Sequence, residues 1–149
     1  MIDRAQQKHL HRETLRVYYE DTDAGGIVYY ANYLKFIERG RTELLRQLGV
    51  ESSQMMTQHG VAFAVKRCTV DYRKPAVLDD ELIIETEVLR LGGASLDLQQ
   101  TVRRGDDIMV LVDIKLACLD LGRGKPRAMP GDVRAKLDEY FDKAQNREK

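Results

Sequence analysis

One long helical repeat, followed by four strand-like segments and no second helix of comparable length, leaves this chain few ways to fold. From about Tyr30 to Leu48, residues Leu34, Ile37, Leu44, Leu45 and Leu48 recur at helix-compatible spacing, while Lys35, Glu38, Arg41, Glu43 and Arg46 point elsewhere. Gly49 follows the last periodic residue, where a left-handed stop is cheapest without a Cβ. Gly40 sits mid-helix at a cost of roughly 1 kcal/mol relative to Ala, which predicts that a neighbouring backbone comes close there.

Before that helix, LRVYYE alternates Leu15, Val17 and Tyr19 with Arg16, Tyr18 and Glu20 and reads as a first strand. Residues 1–14 are polar and read as a flexible N-terminal segment, with His9 and His11 on it. Four more strands are expected between Val61 and Leu119, broken at Pro75 with Asp79-Asp80, at Gly92-Gly93 and at Gly105-Asp106-Asp107, to give an antiparallel meander of hairpins. The run IMVLVDIKLACL is long and largely apolar and is expected near the centre of the sheet. After the Gly122 to Pro126 turn, Val133, Leu137, Tyr140, Phe141 and Ala144 spell a short amphipathic helix.

One antiparallel sheet with an apolar face needs a cover, and the long helix is the only one available. The expectation is therefore a single α+β domain over 15–149, with five strands curved around that helix. Its two sheet edges carry unpaired backbone groups, which predicts edge pairing in a homodimer. The 149 residues are 43% hydrophobic and 32% charged, enough for one sizeable core. The 24 Lys and Arg balance 24 Asp and Glu, so no global field draws the chain to nucleic acid or anionic lipid. No stretch approaches the roughly 20 apolar residues of a membrane span, and the polar start lacks a secretory segment, which reads as a soluble cytoplasmic protein. Cys68 and Cys118 are far apart and read as small core residues, with no zinc-type spacing.

The densest chemistry lies in Tyr18 to Tyr30, YYEDTDAGGIVYY, between the first strand and the helix. Free N–H groups at a helix start attract a developing oxyanion, glycines admit a substrate to the backbone, and a carboxylate upstream can face the same carbon. Those are the needs of acyl transfer. Asp, Thr and Gly are also ordinary turn and capping residues, so spacing alone leaves a purely structural turn open.

The run YYEDTDAGGIVYYANYLKFIERGRTELL resembles the signature of the 4-hydroxybenzoyl-CoA thioesterase family of hot-dog folds, and within it the acyl-CoA thioesterases associated with the Tol-Pal system. VDYRKPAVLDDEL, the Gly-Ala-Ser of GGASLDL and KPRAMP extend the similarity over nearly the whole chain. The resemblance implies a long helix wrapped by a five-stranded antiparallel sheet, dimerised edge to edge and often doubled to a tetramer, with active sites at the subunit interface. It implies hydrolysis of acyl-CoA, or of an acyl carrier protein thioester, to free acid and thiol. The family aspartate falls on Asp23 and the oxyanion donor on the backbone N–H of Tyr30, and Asp21 and Glu20 become supporting or surface residues; apart from the resemblance, the Gly26 N–H is read as an assisting donor. Where this chain has Tyr30, the Tol-Pal-associated relatives often have His, an exchange to which a backbone donor is indifferent.

In that chemistry Asp23 either activates water or attacks the thioester itself, and neither route calls for a metal or cofactor. Some related enzymes carry their carboxylate on the long helix, which brings Glu38 and Glu43 into view, although Glu38 and Arg41 are spaced to form a plain ion pair. Tyr18, Tyr29 and Tyr33 are candidates for an acyl pocket. Arg67, Arg73, Lys74, Arg103, Arg104, Arg123, Lys125 and Arg127 are candidates for coenzyme A phosphates, none singled out. A hot-dog dehydratase would want a His beside its carboxylate, and His9, His11 and His59 all lie outside the Asp23 loop; His59 reads as a loop residue. The remaining alternative is a non-catalytic scaffold that binds acyl carrier protein or docks peripherally at the Tol-Pal complex.

Overall fold

The computed structural model describes residues 10–147, with side chains as far as 143. Its elements run β1 (His11–Arg16), α1 (Asn32–Gln47), a single turn α2 (Ser52–Gln54), β2 (Val61–Tyr72), β3 (Glu81–Leu91), β4 (Ser95–Arg104), β5 (Asp107–Asp120), β6 (Lys125–Pro126) and α3 (Gly131–Arg147). The five main strands form one antiparallel sheet in the order β1-β3-β4-β5-β2, and the two-residue β6 adds to β5 as a sixth. This is the expected α+β architecture, a sheet curved about one long helix.

The first strand lies four residues earlier than its alternation predicts. β1 spans His11–Arg16, so residues 11–14 of the expected loose segment are paired with β3, while residues 1–9 lie outside the described residues. Opposite charges add to the packing of Leu15 against the core at this edge. Arg12 faces Glu85 and Arg16 faces Glu81 across the ladder, each pair at 3.2 Å. The strand then stops because the Asp21 carboxylate accepts the Tyr18 N–H at 2.8 Å and closes a 3-10 turn over Tyr19–Asp21.

The meander is confined to β3, β4 and β5. β2 pairs with β5 at the far edge and not with β3, so residues 73–80 form a crossover instead of the expected hairpin. β5 is an interior strand flanked by β4 and β2, and β4 occupies the middle. The inward face of α1 is Tyr33, Phe36, Ile37, Gly40, Leu44 and Leu45, whereas Leu34, expected in that stripe, is 42% exposed. The apolar stripe is thus turned about one residue from the leucine pattern, because two aromatics carry its first turn.

Gly40 is buried against β3 and β4, as the close approach requires, but the neighbours are side chains: a Cβ there would stand 2.6 Å from Ile84 Cγ2 and 3.4 Å from Gln100 Nε2. Gly49 adopts φ +87° just beyond α1, as a helix stop should. α3 is longer than expected and completes the core through Val133 and Leu137; the side chain of Ala144 lies outside the described residues. Of the two cysteines, Cys118 is buried while Cys68 is exposed on the edge strand β2, which corrects its reading as a core residue.

Candidate active site

The crossover from β2 to β3 passes over the start of α1, and this places three segments together. Val28 N–H donates to the Ala76 carbonyl at 2.9 Å, Ile27 bridges to Val77, and the Ala76 N–H donates to the buried Tyr33 hydroxyl at 3.0 Å. Burial raises the Tyr33 phenol above its ordinary pKa, so it stays neutral and able to accept.

Residues 22–28 form a small hairpin closed by the Thr22–Val28 bridge. Asp23 sits in it, solvent-exposed on the single chain, with Oδ1 accepting the Gly25 N–H at 2.8 Å and the Ile27 N–H at 3.4 Å. The carboxylate is fixed through Oδ1 by its own turn. Gly26 takes φ +81°, and its N–H donates to the Asp23 carbonyl at 3.0 Å. Of the two expected oxyanion donors, the Gly26 amide is therefore committed inside the turn. The Tyr30 N–H has no acceptor among the described residues, as befits one of the orphan donors ahead of a helix.

Asp21 serves structure. Its carbonyl accepts the Tyr29 N–H at 3.1 Å and Asn32 Nδ2 at 2.8 Å, which fastens the loop to the first residue of α1. Asn32 escaped the sequence reading, although Asn at a helix start is a recognisable anchoring signal. Glu20, exposed in the 3-10 turn, is a surface residue.

Beside Tyr30 opens a cleft of about 250 Å³ lined by Ile27, Val28, Tyr30, Tyr33, Tyr72, Arg73, Lys74 and Pro75. Of the expected pocket tyrosines, Tyr33 lines it and Tyr18 and Tyr29 do not, though the Tyr29 ring lies 4.8 Å from that of Tyr30. Tyr72, at the end of β2, is the aromatic that sequence reasoning missed. Arg73 and Lys74 are the phosphate candidates placed at this cleft; they pair with Asp71 and Asp107, each at 2.9 Å. Lys74 holds the Asp107 carboxyl below its ordinary pKa. Arg67 lies elsewhere, in a groove with Lys115, Asp97 and Asp113. Arg103, Arg104 and Arg127 are drawn to Glu85, Asp80 and Asp120; Arg123 is exposed in the β5 to β6 turn and Lys125 is exposed on β6.

Glu43 pairs with Arg46, and no ion pair joins Glu38 to Arg41 among the described residues. Arg41 is instead partly buried, and burial lowers its pKa while Glu38 and Cys68 oppose that shift. His59 lies 3.3 Å from Asp132 of α3, apart from the Asp23 loop.

Residues 17–137 match the thioesterase-like superfamily, and the chain belongs to it. The chain is similar to the acyl-CoA thioesterase YbgC of Haemophilus influenzae, 46% identical over 121 residues that cover 81% of this chain and 89% of that protein. It is 42% identical over 129 residues to the acyl-CoA thioester hydrolase YbgC of Escherichia coli O6:H1, covering 86% of this chain and 96% of the relative. Among solved structures, a probable thioesterase from Bartonella henselae superposes with a TM-score of 0.76 at 35% identity, covering 81% of this chain and 99% of the other. The antiparallel sheet curved about α1 is the hot-dog fold.

Proposed function

We propose that this chain, an acyl-CoA thioesterase, uses Asp23 to hydrolyse the thioester while the Tyr30 N–H holds the carbonyl oxygen. The observation that carries the reading is the pairing of a carboxylate fixed by its own turn with an unspent N–H at the adjoining helix start. Charge builds on the thioester oxygen as the carbonyl carbon becomes tetrahedral, and a preorganised donor at the positive end of a helix lowers that state. Asp23 takes a proton from water so that hydroxide adds to the carbon, or adds through its own oxygen to give a mixed anhydride that water opens. In both routes the C–S bond breaks, the sulfur leaves as thiolate and is protonated to free thiol, and the products are acid and coenzyme A.

The exposed side chains that line the cleft, Ile27, Tyr30 and Tyr72, support a second subunit covering it. So does the free outer edge of β2, twelve residues long. Dimerisation at that edge sets the cleft between protomers, and doubling gives the tetramer. Among the described residues no helix is long and apolar enough to cross a membrane. A cytoplasmic location, a carrier protein as alternative thioester donor, membership of the 4-hydroxybenzoyl-CoA group and a peripheral Tol-Pal association extend the reading, on the strength of the Tyr18 to Leu45 signature.

Thiol release measured over a panel of saturated acyl-CoAs and benzoyl-CoA tests it. Asp23→Asn keeps an acceptor oxygen for the Gly25 and Ile27 amides, so the variant is expected to fold and assemble like wild type while turnover falls on the order of 10²–10⁴-fold. Near-wild-type turnover in the folded variant rejects Asp23, and absence of turnover by wild type on every thioester favours a scaffold.

A further inference from the structure

The Tyr30 carbonyl lies outside the helical ladder. Its i+4 donor, the Leu34 N–H, turns instead to the Ala31 carbonyl at 3.2 Å. The Tyr30 oxygen is taken by the Tyr72 hydroxyl, which donates to it at 3.2 Å from the far side of the cleft. Forty-two residues separate the two in sequence, so this bond ties the end of β2 to the start of α1.

Tyr72 is well placed to act as a fixed post. It pairs with Val110 of β5, and the next two N–H groups, of Arg73 and Lys74, both donate to the Met109 carbonyl at 2.9 and 3.1 Å. Its ring stands edge-on to Tyr30, with centroids 6.3 Å apart and planes at 89°, and lies 5.8 Å from the ring of the buried Tyr33. On the other side of the Tyr30 amide, the Tyr29 N–H is anchored to the Asp21 carbonyl at 3.1 Å. The plane that carries the free Tyr30 N–H is held at its own carbonyl, Tyr29 O, which accepts the Asn32 N–H at 2.8 Å, and the Tyr72 hydroxyl holds the plane that follows it. At the Tyr30 carbonyl the Tyr72 phenol is the hydrogen-bond donor among the described residues.

We infer that Tyr72 is a positioning residue for thioester hydrolysis, acting through the Tyr30 carbonyl to aim the neighbouring Tyr30 N–H at the developing oxyanion. The inference rests on the proposed roles of Asp23 and Tyr30. A donor aimed at the transition state differs from a pocket wall in what its loss changes: the first lowers kcat, and the second weakens binding of every ligand.

The experiment compares wild type, Tyr72→Phe, Tyr72→Leu and Asp23→Asn on whichever acyl-CoA of the panel wild type hydrolyses fastest, together with the affinity of an unreactive CoA thioether bearing the same chain. Removing only the hydroxyl in Tyr72→Phe is expected to lower kcat on the order of tenfold, as a small misplacement of a reacting group does, with KM and thioether affinity within twofold of wild type. Tyr72→Leu is expected to show the same loss in kcat and, having lost the ring, a higher KM as well. If Tyr72→Phe restores full kcat where Tyr72→Leu does not, the ring alone matters and the inference is overturned; the same follows if the Phe variant changes KM and thioether affinity but not kcat. Retained turnover in Asp23→Asn would instead remove the reading of the site on which the inference stands, so the two failures are told apart.

Discussion

Gln100 reaches from β4 to α1 and donates through Nε2 to the Ile37 carbonyl at 2.7 Å, with the Thr86 hydroxyl at 2.9 Å on the same nitrogen. Fully buried, it marks the seam along which the helix lies against the sheet. The seam is that tight because Gly40 stands one turn further on.

Gly40→Ala therefore sets two effects against each other. Helix propensity favours Ala by about 1 kcal/mol. The added methyl meets Ile84 Cγ2 at 2.6 Å, and Ile84 is fully buried with nowhere to go; overpacking of this kind costs typically 1–3 kcal/mol. The clash is expected to win, for a net loss of roughly 1 kcal/mol and a fall in Tm of about 2–4 °C. Thermal unfolding followed by circular dichroism checks it, and a Tm at or above wild type would show that the sheet yields.

His11 gives the fold a dependence on pH. Its Nδ1 is buried with no partner among the described residues, and burial lowers its pKa from 6.5, while Glu13 and Glu43 oppose that shift. The folded chain then binds a proton less readily than the unfolded one, so the His11 contribution is complete above pH 6.5 and is lost as pH falls from there toward the lower folded value. Urea midpoints at pH 8 and pH 5 should differ more for wild type than for His11→Gln. Equal differences would assign the acid sensitivity to other groups.

The two loop glycines should separate stability from turnover. A Cβ on Gly25 would press on Asp23 Oδ1 from 3.3 Å, whereas one on Gly26 meets nothing within 4 Å but must adopt φ +81°. Gly25→Ala is expected to keep its Tm and lose turnover on the order of tenfold by displacing the carboxylate. Gly26→Ala is expected to lose about 1–2 kcal/mol of stability with turnover largely kept. Thiol-release kinetics beside a melting curve distinguish them, and a reversed pattern would mean that the Gly26 amide, not the Asp23 position, governs the chemistry.

What could be read from the chain was whatever depends on local pattern: the existence of α1, its Gly49 stop, the β4 alternation and the Gly105 turn. What could not be read depends on pairing across distance. β1 looked like a tail because its stabilising partners, Glu81 and Glu85, lie some seventy residues away. The β2 to β3 connection looked like a hairpin because nothing local reveals that β2 belongs beside β5. At the site, Asp23 and Tyr30 stand out in one continuous loop, but Tyr72 does not, since its bond to Tyr30 spans the fold. The commitment of the Gly26 amide was hidden in the turn's own geometry.

α3 bears on how the chain is made. Its Val133 and Leu137 fill the core, Arg134 donates to the Gly92 carbonyl in the β3 to β4 turn, and Lys136 donates to the Gly49 carbonyl behind α1. Ribosomes deliver this helix after every strand it seals. A nascent polypeptide that has emerged only through β5 exposes a greasy trough where α3 will sit, so holdase chaperones would have their window there, and it closes only once Leu137 clears the exit tunnel.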